Sequence, residues 1–409
     1  MNQKRLAVIS YHTCPLSDEK DAEIGGINTY VLELSKSLVK VGYLVDIFTR
    51  CVHKDSPKIV SPSSNLRIIH LDAGQKVKRD KKELIQYIPE FIYNLLGFMQ
   101  RENFKYDLIS AHYYMSGIIG LEIKKVKKMP MIMTFHTLGL MKNLVARNES
   151  EKADFFRIES EIALCRQSDR IIATSEADME YINSLYDCPK EKICILTPGV
   201  DLNLFKPIDK KLAKDKIGAE PDHKLILFVG RIEALKGIDV LLYAIKILAQ
   251  KNLLPKICLW IVGGSRKGDR EEWPEELLRL EAIRKLLKIS SFVKFVGKKS
   301  RLELPFYYNS CEVAIMPSLY ESFGQTTLEA MACGVPVITT DVSGVSSFLD
   351  SDHNSLITSA SNPIMLAQKI FNLLKDDKKR EKMSQEVYEK VADLSWDKLA
   401  EKFDYFLTK

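Results

Sequence analysis

Chemistry in this chain is written in four short segments, each following an apolar run of strand character. The fullest is Pro317-Ser-Leu-Tyr-Glu-Ser-Phe-Gly-Gln-Thr-Thr-Leu-Glu329, between the run Val313–Met316 and a helix expected over Thr327–Cys333, with Gly334 as its stop. Its carboxylates, Glu321 and Glu329, are acceptors that suit the vicinal hydroxyls of a ribose or hexose. Glu321 falls in the loop. Glu329 falls one to two turns into the helix, too deep to serve only the helix dipole. Backbone N–H groups of Phe323, Gly324 and Gln325 at the helix start suit a sugar hydroxyl or a phosphate. The second segment pairs Gly230-Arg231 with Lys236-Gly237. Two cations beside a helix start match a diphosphate, against the plainer reading of an exposed basic loop. Thr134-Phe135-His136-Thr137 puts a histidine at a strand end, where it can bind substrate, transfer protons, or simply cap the strand. Gly25-Gly26 lets backbone approach an anion, but a lone Gly-Gly is as readily a tight turn, and no GxGxxG is present.

These segments need elements to hold them. Apolar runs at Leu6–Ser10, Leu44–Phe48, Leu66–Leu71, Leu108–His112, Met131–His136, Ile171–Thr174 and Ile193–Leu196 read as strands. Helices are expected at Asn28–Lys40, Lys81–Gln100 and Glu151–Gln167. A second series follows the polar stretch Lys206–His223, with strands at Leu225–Val229, Ile257–Val262, Val293–Val296, Val313–Met316, Val335–Thr339 and Ser355–Ile357. Helices at Gly237–Gln250 and Glu276–Leu287 intervene. The runs lack polar alternation, so the strands are expected to be buried on both faces of parallel sheets. The pattern predicts an α/β protein of two doubly wound, Rossmann-like domains, 1–203 and 204–390, facing a cleft. The amphipathic helix Asp397–Leu407 (Leu399, Phe403, Phe406), within 391–409, is expected to return to the first domain. Ligands in such sheets bind at the carboxyl ends of the strands.

Bulk properties narrow the classes. A chain of 409 residues exceeds one ordinary core. With 46% hydrophobic and 28% charged residues it is globular in composition. The net charge of +6, from 60 basic and 54 acidic residues, fits an anionic substrate as well as a nucleic acid; a nucleic-acid partner is not expected. Eight scattered cysteines without a CxxC pair read as reduced thiols, not as a zinc site or disulfide frame. No apolar run reaches the ~20 residues of a membrane span, and MNQKRLAVIS lacks a signal-peptide core. A cytoplasmic protein is expected, with peripheral contact at the inner membrane face and a homodimer left open. The cation runs Lys78–Lys82 and Lys124–Lys128 are by default solvated helix faces, though the latter could meet anionic headgroups.

With GGINTYVLELSKSL, AHYYMSG, TFHTLG, SDRIIATS, TPGVDLNLFKP, FVGRIEALKGIDVLL and SLYESFGQTTLEAMACGVPVITT in this order, the chain resembles glycosyltransferase family four, of GT-B fold, almost end to end. The GGIN and TFHTLGLMKN pieces resemble the branch of inositol-phosphate glycosyltransferases and sucrose-phosphate synthases, and Asn28 leans toward the former. The resemblance implies a retaining hexosyltransferase that uses a UDP-sugar donor (glucose or N-acetylglucosamine), a small polar acceptor, and no cofactor or metal. By position, Glu329 would grip the donor ribose. Glu321 with Phe323, Gly324, Gln325 and Thr326 would bind the hexose. Arg231 and Lys236, with Gly230 and Gly26, would hold the diphosphate. Val296 and Lys298 would meet the base, and His136 the transferred sugar. An acceptor phosphate would fall to Lys81, Tyr113, Thr137 and Arg157, beside Asn28. The run Asp341-Val-Ser-Gly-Val-Ser departs from the family's Gly-Gly turn, and Val345 is expected to alter donor fit. Two rivals stand: a glycosyltransferase acting on a membrane lipid or surface-glycan precursor, and a sugar-nucleotide 2-epimerase. The epimerase needs further acid/base carboxylates, for which no matching set is identified.

Overall fold

The computed structural model describes residues 3–16, 25–103, 105–250, 256–264, 273–341, 344, 349 and 356–408. The chain separates into two compact units, residues 1–199 with 396–409, and residues 200–395. The division falls at Gly199/Val200, and the returning segment starts at Trp396 rather than at 391. Val391 and Leu394 explain the shift. They pack in the core of the second unit, and the Leu394 carbonyl accepts a hydrogen bond from Val200 N–H.

The first unit is built on β1 (Arg5–Ile9), β2 (Leu44–Arg50), β3 (Ile59–Ser63), β4 (Leu66–Leu71), β5 (Leu108–His112), β6 (Met131–Thr134), β7 (Arg170–Ala173) and β8 (Ile193–Ile195). Their order is β3-β4-β2-β1-β5-β6-β7-β8, parallel except for the β3–β4 pair. β3 is the one strand of this sheet the sequence pattern misses. It is a mostly exposed edge strand carrying Pro62, without the apolar run that marks the others. Leu6, Val8, Val45, Ile47, Ile68 and Ile132 face one core with Tyr30, Val31, Leu34 and Leu38 of the helix Gly26–Lys40.

The helix Trp396–Thr408 closes this core with Trp396, Leu399, Ala400 and Phe403. Phe406 is 37% exposed and does not join it. Polar contacts fix its register. Asp397 accepts from Ser37 Oγ at 2.6 Å and Lys40 Nζ at 2.9 Å, and Asp404 accepts from Tyr43 Oη. The stretch Lys81–Gln100 is not one helix. It runs as Lys81–Leu84, a 3-10 turn over Ile85–Tyr87, and Ile88–Glu102. Pro89, at the start of the last piece, has no N–H for a continuous ladder.

The second unit carries β9 (Lys224–Val229), β10 (Ile257–Val262), β11 (Val293–Gly297), β12 (Val313–Met316), β13 (Val337–Thr340) and β14 (Leu356–Thr358), in the parallel order β11-β10-β9-β12-β13-β14. Successive residues of β9 face opposite cores. Ile226 and Phe228 join one, while Leu225, Leu227 and Val229 join the other. Burial on both faces is why the strand lacks polar alternation.

Each sheet has a point where strand order reverses, between β1 and β5 in the first and between β9 and β12 in the second. The chain leaving adjacent strands there diverges to opposite faces and opens a crevice beyond their carboxyl ends. The loops at those points carry most of the candidate residues.

Candidate functional site

In the second unit β9 delivers Gly230–Gly237 and β12 delivers Pro317–Gly324, side by side. The two loops are tied by Leu319 N–H to the Leu235 carbonyl at 2.7 Å, and Gly344 N–H donates to the Glu321 carbonyl at 3.0 Å. Lys236 and Glu321 form an ion pair, both partly buried. Gly237 makes this approach sterically allowed. It has φ +61°, and a Cβ there would lie 2.0 Å from the Pro317 carbonyl oxygen. Gly218 also has positive φ, +66°, but nothing lies within 4 Å of its Cβ position. Gly237→Ala should therefore cost on the order of 2–3 kcal/mol, left-handed backbone plus overpacking. Gly218→Ala should cost only about 1 kcal/mol. Urea unfolding followed by tryptophan fluorescence checks the difference, and equal losses would show that the two loops need no close approach.

Arg231 is 42% exposed at its side chain and pairs with Glu233 at 2.6 Å. The Gly230 N–H is bound to the Val262 carbonyl at 3.0 Å, so this amide is not aimed at a ligand. Its neighbour Gly263 packs against it, since a Cβ on Gly263 would lie 1.8 Å from the Gly230 oxygen.

The helix after β12 starts at Gln325, two residues earlier than expected, and runs to Ala332. Gly324 is its N-cap, with φ +89° and no side-chain cap, and Gln325 and Thr326 form the first turn. Phe323 is buried in the core, so only its backbone can serve a ligand. Glu329 is 4% exposed. Tyr308 Oη donates to its Oε2 at 3.1 Å, and Arg301 Nε lies 4.0 Å from Oε1. Burial raises the Glu329 carboxyl to about pH 7, against the opposing pull of Arg301 and Tyr308. Val296 and Lys298 flank the end of β11 at Gly297, both partly buried. Val342, Ser343 and Val345 lie outside the described residues.

In the first unit four expected residues meet. Arg157, 7% exposed, is fixed by its own helix, Phe155–Gln167, through Nε to Glu161 at 2.7 Å. Its Nη1 donates to Tyr113 Oη at 3.2 Å, and its Nη2 to the Thr137 carbonyl at 2.8 Å and Oγ1 at 3.2 Å. Its carbon lies 5.1 Å from the centre of the Tyr113 ring, and Lys81 Nζ lies 5.8 Å from the same centre. Tyr113 follows β5 with φ +74°, and His136 follows β6 with φ +62°. Both occupy the left-handed region that side chains other than glycine rarely adopt, a form of strain concentrated at functional sites. β6 ends at Thr134, so His136 stands beyond the strand and not in it.

Two further expected residues, Asn28 and Gly26, stand at the start of the helix Gly26–Lys40. Asn28 is buried, donates to the Cys14 carbonyl at 2.9 Å and accepts from Thr13 Oγ1 at 2.9 Å. Gly26 is exposed in the first turn of its helix, behind the N-cap Gly25 at φ −124°, so no left-handed turn calls for glycine there. Lys124 and Lys125 pair with Asp169 and Glu122. Sequence reading missed Glu161, Tyr308, Arg301 and His112. Only His112 left a signal, as the last residue of a recognised strand. Among the described residues no group of three or more His, Cys, Asp or Glu is arranged for a metal ion, and no helix is long and apolar enough to cross a membrane.

Two family models match the chain: Glycosyltransferase Family 4 over residues 24–204 and Glycosyl transferases group 1 over residues 209–390. The chain is 30% identical to the D-inositol 3-phosphate glycosyltransferase of Nocardiopsis dassonvillei, over 96% of this chain and 91% of that protein. It is 31% identical to the enzyme of the same name from Corynebacterium jeikeium, over 97% and 94%. Among solved structures it is similar to sucrose-phosphate synthase from Thermosynechococcus elongatus, with 28% identity, a TM-score of 0.90, and 99% and 98% of the two chains covered. With two Rossmann-like parallel-sheet units and a full-length match to these enzymes, the chain belongs to the family-four glycosyltransferases of GT-B fold.

Proposed function

We propose that the enzyme moves a hexosyl group, with retention, from a UDP-sugar to a small phosphorylated polyol or sugar. One observation carries the acceptor half: Lys81, Tyr113, Thr137 and Arg157 converge as donors. The Tyr113 and Thr137 hydroxyls each accept from Arg157, which turns their own O–H toward another acceptor. Arg157 makes four hydrogen bonds from its five N–H groups. With the Lys81 ammonium, this set suits an acceptor-only anion such as phosphate. The names of the relatives support the class, since both D-inositol 3-phosphate glycosyltransferase and sucrose-phosphate synthase contain a phosphorylated polyol or sugar.

On the donor side, Glu329 receives the ribose hydroxyls, and Val296 and Lys298 flank the base. Glu321 and the Gln325–Thr326 turn receive the hexose. Lys236, helped by Arg231, neutralises the diphosphate as the sugar–phosphate bond breaks. The acceptor hydroxyl attacks on the face the diphosphate leaves, and a phosphate oxygen of the leaving group takes its proton. A screen of UDP- and GDP-sugars against phosphorylated and plain polyols, read by mass spectrometry, tests substrate class, and proton NMR of the product tests retention. An inverted anomeric centre would overturn the mechanism.

Glu329 makes donor binding pH-dependent. Ribose hydroxyls stabilise its ionised form, so binding pulls its pKa below about 7 and releases a proton. Donor affinity should be full above about pH 7 and weaken as pH falls through it, by up to about tenfold per unit. Calorimetry with a UDP-sugar, whose diphosphate does not titrate in this range, should show the loss between pH 8 and pH 6. Glu329→Gln should bind more weakly and flatten the dependence. A slope unchanged in that variant would place the titration elsewhere.

A further inference from the structure

A buried carboxylate backs the expected acceptor residues. Glu161 stands one turn after Arg157 on the helix Phe155–Gln167 and is fully buried. A carboxylate so placed is costly unless its oxygens are bonded, and three donors meet it. Arg157 Nε donates to Oε1 at 2.7 Å. Gly139 N–H donates to Oε2 at 2.8 Å, and Tyr186 Oη donates to the same oxygen at 2.5 Å. A Cβ on Gly139 would lie 2.6 Å from Ile158 Cδ1 and 3.0 Å from Glu161 Oε2, room that only glycine leaves open.

Tyr186 ends the helix Glu176–Tyr186 and is 2% exposed. Burial raises its hydroxyl above the usual tyrosine range, so it keeps its proton. Leu140 N–H donates to Oη at 2.8 Å, and the hydroxyl proton goes to Glu161. The ring stacks on Phe135, with 16° between planes and centroids 6.3 Å apart. One side chain thus supports the segment Phe135–Leu140 at both ends. Thr137 lies between, and its carbonyl and Oγ1 accept from Arg157 Nη2. Glu161 therefore fixes both parties to that contact, Arg157 through Nε and the Thr137 segment through Gly139. Because the guanidinium is a rigid planar fork, fixing Nε restricts where both Nη groups point.

We infer that Glu161 and Tyr186 are positioning residues that set the preference for a phosphorylated over a plain acceptor, acting through Arg157. This rests on the reading above, in which Arg157 and its neighbours hold the acceptor's phosphate. An arginine fork gives a phosphate geometric specificity as well as charge. A fork free to turn keeps the charge and loses the aim.

The test compares kcat/KM for one phosphorylated polyol and its dephosphorylated counterpart across variants. Tyr186→Phe keeps the ring on Phe135 and removes only the hydroxyl. The preference should fall about tenfold, the size of one hydrogen bond, as a rise in KM for the phosphorylated acceptor and not as a fall in kcat. Glu161→Gln has one acceptor oxygen for three donors, so its loss should be at least as large. The double variant of Tyr186→Phe with Arg157→Lys should lose little more than Arg157→Lys alone, because both act on one fork. Nitrogen-15 NMR adds a readout independent of activity. The Arg157 Nε–H should exchange slowly with water in the wild type and faster in Tyr186→Phe. Equal loss of transfer to both acceptors, additive losses in the double variant, or a wild-type Nε–H that exchanges like that of an exposed arginine would overturn the inference. A preference lost in Arg157→Lys but kept in both Tyr186→Phe and Glu161→Gln also overturns it, and leaves the phosphate reading standing. Faster exchange in Tyr186→Phe, in an enzyme whose wild type shows no preference, sinks the phosphate reading and supports the hold on Arg157.

Discussion

Lys236→Ala should lower kcat by about 100- to 1,000-fold, the usual effect of removing one preorganised group from developing oxyanion charge. The loss should be larger than that of a neutral hydrogen bond, because Glu321 stands against Lys236. Without the ammonium, its carboxylate adds negative charge beside the departing diphosphate. Stability should barely change. The pair is partly solvated, with side-chain exposures of 16% and 21%, and pairs of this kind contribute about 0–1 kcal/mol. Steady-state kinetics and thermal unfolding on the same preparation separate the two effects. Undiminished turnover would remove Lys236 from the phosphate site. A large fall in Tm with proportionate loss of activity would make it a structural residue.

Arg157→Lys should lower kcat/KM for a phosphorylated acceptor by about 30- to 100-fold and leave donor affinity unchanged. Lysine keeps the charge but not the planar fork that reaches Glu161, Tyr113 and Thr137 at once. Arg157→Ala is the poorer test. It strands Glu161, which is fully buried, and removal of one partner of a buried pair typically costs about 3–5 kcal/mol. Lys81→Ala complements it, since that residue is only partly buried. Its kcat/KM for the phosphorylated acceptor should fall about tenfold, one charge-assisted hydrogen bond's worth. If both variants keep their preference for a phosphorylated over a plain acceptor, the phosphate does not bind here.

The parallel strands were legible because burial on both faces leaves an apolar run with no competing pattern, as in β5 and β10. The edge strand β3 was not, because exposure removes that signal. The loops after β9 and β12 were legible as strand, glycine, cation and helix start in sequence order. What lay hidden is set by contacts distant in the chain. Tyr308 reaches Glu329 from another helix, and Arg301 reaches it from the loop after β11. The Gly230 amide is engaged by β10, and both polar ends of Asn28 by Thr13 and Cys14 of the segment after β1. A residue type shows which bonds a side chain can make, and the fold decides which of them are already made.

The most direct measurement is competition between one phosphorylated polyol and its dephosphorylated counterpart for hexosyl transfer from UDP-glucose and UDP-N-acetylglucosamine, with products resolved by mass spectrometry. The expected result is a phosphorylated acceptor heavier by one sugar, UDP released in equal amount, and transfer to the plain polyol lower by about a hundredfold or more, as fits a site of charged donors left without its anion. Equal transfer to both polyols, or free sugar and its 2-epimer with no acceptor product, would contradict it.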